Sequence, residues 1–250
     1  MFYYIKKYLI MNAKPLIMLV MIFSFVATSQ AFSQSDEPPA KVYGGIGYFQ
    51  AGYSFMDFND LNNAFVQAGI PEINNGSVSL GGGGHYIFRR FLIGGEGNGL
   101  IGSRTANENF SVRHSGGMGF FNAGYIVLQR PLYTVYPILG IGGGGYSVTI
   151  IDRNAATASL QEVLDNPHQQ AELSKGSFML NFSVGADLFV FADRTQQGTG
   201  GFVVGVRAGY LLAFDTDEWR LDDYSFTDGT NTSISGPFIR LIIGGGGLLY

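Results

Sequence analysis

"SFMLNFSVGADLFV", residues 177–190, decides the fold. Phe178, Leu180, Phe182, Val184, Ala186, Leu188 and Val190 occupy one parity, and Ser177, Asn181, Ser183, Gly185 and Asp187 the other. A period of two means a strand with one apolar face. "GFVVGVRAGYLLAF" (201–214) repeats the pattern, with Gly205, Arg207 and Gly209 opposing seven apolar residues. Working outward from this pair, eight such segments appear, at about 42–56, 77–88, 91–103, 109–129, 132–150, 176–191, 201–214 and 236–250.

Composition says what the apolar faces meet. Only 14% of residues are charged and 14% are aromatic, against a usual charged share of about 25%. A water-facing skin cannot be built from so few charges. Gly accounts for 37 of 250 residues, roughly twice ordinary usage. Its runs recur strand by strand, as "GGGG" at 81–84, 142–145 and 244–247. We read them as one requirement of a small, crowded barrel, in which backbones must approach closely. There is no cysteine, which excludes disulfides and thiolate metal sites.

The first 33 residues read as an export signal. Lys6, Lys7 and Lys14 precede the apolar run "PLIMLVMIFSFV" (15–26), and small residues offer cleavage after Ala31 or Ser33. Met11 is an alternative start. Residues 34–41 form a polar linker, and 42–250 the folded part. The signal holds three lysines and no acid, so its removal makes the net charge of −4 more negative. That argues against nucleic acid as a partner.

Connections alternate in length. Turns at 89–90, 130–131 and 192–201 oppose a short loop at 104–108 and long loops at 57–76, 151–175 and 215–235. The reading is all-β: an eight-stranded antiparallel up-and-down transmembrane β-barrel with short periplasmic turns and longer extracellular loops. Two loops carry helical patterns, 58–71 with Asn59 or Asp60 as cap and 154–167 ending at Asn166-Pro167. Aromatic girdles are expected at both rims: Tyr86, Phe88, Phe91, Tyr133 and Tyr250 at one, Tyr53, Phe55, Phe110, Tyr146, Phe214 and Phe238 at the other.

At this point the chain resembles the small outer-membrane barrels of the OmpA and OmpX type, over residues 42–250. Its last strand, "LIIGGGGLLY" (241–250), ends on an aromatic. The resemblance implies that Ile242, Leu248 and Tyr250 are an assembly signal read by the outer-membrane assembly machinery. It implies outer-membrane lipid as the surroundings, reached after export and signal cleavage. Arg240 shares the parity of Tyr250, which leaves the inside and outside of this strand open.

Three charged residues, Glu96, Asp187 and Arg207, take inward parity. We expect them to pair, because an unpartnered buried charge is very costly, and so to plug the lumen. The role expected is structural or surface interaction, with an extracellular partner reached through loops 57–76, 151–175 and 215–235. Alternatives are a narrow pore, a lipid-modifying enzyme using His114 with Ser111 or another hydroxyl, and a soluble lipocalin-like carrier. No cofactor or metal site is expected. Gly140–Gly145 and Gly97–Gly102 imitate a dinucleotide fingerprint, but no helix follows either.

Overall fold

The computed structural model describes residues 43–130, 132–153, 170–195, 197–215, 219–221, 224–226 and 234–249. The expected export signal and linker, the helical pattern at 154–167 and Tyr250 lie outside them.

Eight long strands follow the sequence pattern closely: β1 (Tyr43–Phe55), β2 (Gly76–Phe88), β3 (Phe91–Gly102), β5 (Phe110–Tyr125), β7 (Tyr133–Asp152), β8 (Gln170–Thr195), β9 (Gly198–Asp215) and β12 (Gly236–Leu249). Short pieces β4 (Thr105–Ala106), β6 (Leu128–Gln129), β10 (Trp219–Leu221) and β11 (Tyr224–Phe226) extend the sheet at its rims, and helix α1 spans Asn59–Gln67. Each long strand pairs antiparallel with its chain neighbours, and β12 returns to β1 with Leu249 opposite Tyr43 and Phe238 opposite Ser54. The ring therefore closes as an eight-stranded up-and-down barrel. Closure removes sheet edges, which is what a strand-built wall requires where no water can satisfy the backbone.

The two ends differ as expected, with local corrections. The turn expected at 130–131 is a connection of residues 126–132 that includes β6. The turn expected over 192–201 is shorter than read, because β8 runs to Thr195 and β9 begins at Gly198, with a bulge between Val190 and Asp193. The β7–β8 ladder continues past the expected start of loop 151–175, to Ile151 opposite Gln170. Within 215–235, β10 and β11 form a hairpin that pairs onto β8. In α1 neither Asn59 nor Asp60 caps the helix. Its cap residue is Phe58, whose side chain makes no cap bond, and the Asn59 amide donates to Asp57 Oδ1 instead. Gly69, at φ +71°, ends the helix as read, in a conformation that favours glycine.

Away from the loop-end rim, outward parity is apolar or glycine on the long strands, as with Phe49, Ile93, Phe121, Ile141, Val204 and Leu241, all exposed. So large a continuous apolar surface does not suit water. Inward residues form layers. At the loop end, Met56, Phe58, Leu61 and Phe65 from the first loop and Trp219 from β10 join Leu100, Met118, Tyr146 and Phe238 in one cluster. At the turn end, Ile46, Ile87, Leu92, Ile126, Ile242 and Leu248 belong to another. Tyr146 and Phe238, expected in the outer girdle, are therefore core residues. Their positions fit the rim by height, but their parity points them inward.

The glycines divide by face, which corrects the reading of a single requirement. Inward glycines are sterically obligatory: a Cβ on Gly142 would lie 1.9 Å from the Gly119 carbonyl oxygen, and on Gly52 2.0 Å from that of Ile239. Many outward ones have room, since a Cβ on Gly145 meets nothing nearer than 3.9 Å and one on Gly47 nothing within 4 Å, although Gly82, Gly84 and Gly143 are tighter, at 3.0–3.2 Å, and Gly76 is covered by the Tyr53 ring. Several outward glycines face an aromatic across the ladder, as Gly82 faces Phe49, Gly95 faces Phe121 and Gly143 faces Phe178. Such rings can cover bare strand backbone.

Candidate functional site: a charge cluster in the lumen

Arg207 and Arg240 are direct cross-strand neighbours on the inward face of β9 and β12. Each is 1% exposed. Two like charges side by side repel, and here a carboxylate from the far wall divides them. Glu96, on β3, accepts from Arg240 Nη1 at Oε1 (3.0 Å) and from Arg207 Nη1 at Oε2 (3.0 Å). Asn181 Nδ2 lies 3.3 Å from Oε1 as a further donor. Arg207 Nη1 also donates to Tyr48 Oη at 2.6 Å, and its guanidinium carbon lies 4.4 Å from the centre of that ring. Arg240 stacks on Phe238 at 4.0 Å.

Asp187 joins the cluster indirectly. Tyr136 Oη donates to Asp187 Oδ2 (2.5 Å) and accepts from Arg207 Nη2 (3.3 Å). Two cations and two carboxylates thus share one polar layer between the apolar layers. Glycine makes the space. A Cβ on Gly205 would sit 2.2 Å from Asp187 Oδ1, and one on Gly52 2.8 Å from Arg240 Cγ. The void lined by Tyr48, His85, Asn122 and Arg207 measures about 10 Å³, about the room of one water.

Glu96, Asp187 and Arg207 are thus brought together. Sequence reasoning missed Arg240, Tyr48 and Tyr136. A usable signal existed for Arg240: Ile239, Leu241 and Ile243 make the other parity of β12 apolar, the argument that turned Arg207 inward. That phase also sends Ile242 and Leu248 into the lumen, so Ile239, Leu241, Ile243 and Leu249 form the outer face of the last strand.

The hydroxyl beside His114 is not that of Ser111, which accepts from Arg104 Nε at 2.5 Å. Ser77 Oγ, from β2, lies 2.8 Å from His114 Nε2. Both are buried, and the Phe58 ring centre is 5.3 Å from that of His114. His114 Nδ1 has no hydrogen-bond partner among the described residues. The acid that orients the histidine of a hydrolytic triad is therefore missing from this pair.

No family model matches the chain, and no curated protein matches its sequence. Solved structures do. The chain is similar to Ail, the attachment invasion locus protein of Yersinia pestis, at 12% identity over 85% of this chain and 100% of that one, with a TM-score of 0.40. It is similar to a major outer membrane protein of Thermus thermophilus at 10% identity, over 84% and 99% of the two chains, TM-score 0.40. OprG of Pseudomonas aeruginosa follows at 12%, 84%, 96% and 0.33. These likenesses concern fold alone; the eight-stranded ring of this chain stands on its own strand pairing.

Proposed function

We propose that the protein is an outer-membrane barrel with a structural or surface-interaction role, whose lumen is closed to ions by its own side chains. The observation that carries this reading is Glu96 held between Arg207 and Arg240 in the middle of the lumen, with apolar layers above and below. An ion crossing would have to break both charge-assisted bonds in a buried setting, where such bonds are strong. The apolar outer wall and closed ring support a membrane position. In this reading loops 57–76, 151–175 and 215–235 face outside the cell and meet the partner; the gathering of the long connections at one end of the ring supports it. The last strand, with Tyr250, is the proposed assembly signal; Ile242 and Leu248, being inward, would be read before the barrel closes.

Conductance of the refolded protein in a planar bilayer tests the plug. Wild type is expected to show no steady current, and replacing Glu96, Arg207 and Arg240 together with alanine is expected to open a small one. A stable open channel in wild type would favour the narrow pore and overturn the plugged lumen.

A further inference from the structure

The outer wall carries a polar groove at its loop end. Ser115 on β5 stands opposite Ser147 on β7, Ser147 opposite Ser174 on β8, and Ser174 opposite Arg220 on β10. One polar side chain per strand thus forms a row across four strands, and Ser115 and Ser147 bring their hydroxyl oxygens to 3.4 Å. The next row towards the membrane centre on this outward face is Gly117, Gly145 and Gly176. The three serines, Arg220, Gly145 and Gly176, with Lys175 and Tyr146, line a groove of about 360 Å³, and Gly117 continues the glycine row beside it. Beyond the row, towards the loops, lie Arg113, Thr149 and Glu172; below the floor lies Phe178. Arg220 is exposed and has no ion pair among the described residues.

Three facts limit what can sit there. The groove faces outward, on the side where the wall is apolar. It lies where that wall changes from Phe121, Ile141 and Phe178 to hydroxyls and charge, the level of a lipid headgroup. Barrel packing does not demand its floor, because a Cβ on Gly145 would meet nothing nearer than 3.9 Å. Glycine there keeps the space empty.

We propose that this groove binds a phosphate-bearing lipid of the surrounding leaflet. Arg220 pairs with the phosphate, Ser115, Ser147 and Ser174 donate to its oxygens, and an acyl chain lies along the glycine floor. Arginine suits this task because its planar fork matches phosphate geometry. The inference rests on the proposed membrane position of the wall.

The test compares wild type with Arg220→Ala, which removes the exposed guanidinium and leaves Lys175, the other cation lining the groove, and Gly145→Leu, which fills the groove and keeps every polar group. Arg89→Ala, at the opposite rim, is the control. Each purified protein is mixed with detergent micelles containing a phosphorylated glycolipid or its dephosphorylated form, and bound lipid is counted by native mass spectrometry. Wild type and Arg89→Ala are expected to hold the phosphorylated form. Arg220→Ala and Gly145→Leu are expected to lose it by about tenfold. Inorganic phosphate at millimolar concentration is expected not to displace it. Equal retention by all four proteins, or displacement by phosphate alone, would overturn the lipid site. Insertion of the same proteins into vesicles, read as protease protection of the strands, tests the membrane position separately.

Discussion

The two faces of one sheet use the same residue for different reasons. Inside the barrel, Gly52, Gly142 and Gly205 stand where a methyl group would strike backbone or the charge cluster. Outside, Gly47, Gly117 and Gly145 stand in open space. The inner face is a packing problem in which two arginines, two carboxylates and two tyrosines must fit a narrow cylinder. The outer face is a solvent problem, in which the wall must be apolar or deliberately bare. A glycine count alone cannot tell these apart, because the residue's name does not record which side of the sheet is crowded.

The largest test of this contrast is charge removal on the inner face. Glu96→Ala leaves Arg207 and Arg240 adjacent, buried and without their shared carboxylate. A loss of about 3–5 kcal/mol is expected, measured as urea unfolding in micelles. Asp187→Asn keeps the bond from Tyr136 and should cost clearly less; an equal loss would show that the cluster acts as one unit rather than around Glu96. A charge placed on the outer face comes next. Leu241→Arg, beside buried Arg240 but of opposite parity, is expected to cost about 2–4 kcal/mol near the membrane middle. If it is tolerated, the wall there does not face lipid. The glycine pair sharpens the comparison at smaller scale. Gly142→Ala forces a methyl group against the Gly119 carbonyl and should cost about 1–3 kcal/mol. Gly145→Ala, three residues along the same strand, should be neutral or stabilising by about 0.5–1 kcal/mol, since alanine gives up less chain entropy. Equal losses at both positions would erase the distinction between the faces.

Much of the site was legible in particular residues. Arg207 could be turned inward because Val204, Val206 and Ala208 leave no other face for a charge. Glu96 and Asp187 followed by the same parity. Arg240 was harder, since glycines at 244–247 blur the alternation of its strand. Tyr146 and Phe238 were misplaced for a different reason: rim height is readable from position in the strand, but a mouth filled by Phe58, Leu61, Phe65 and Trp219 draws nearby aromatics inward. Those four residues come from loops, whose docking has no periodic signal.

The sequence by itself determined the number of long strands, their order, the two faces of all but the last, and the difference between the barrel's ends. Each of these depends on a period of two or on the distance between strands, both local along the chain. Only the tertiary structure decided that Glu96 meets both Arg207 and Arg240, that Tyr136 links Asp187 to them, and that Ser115, Ser147, Ser174 and Arg220 share one row. Those meetings depend on the stagger between strands and on closure of the ring. Stagger is set by the sum of all neighbouring registers, and no short stretch of the chain contains it.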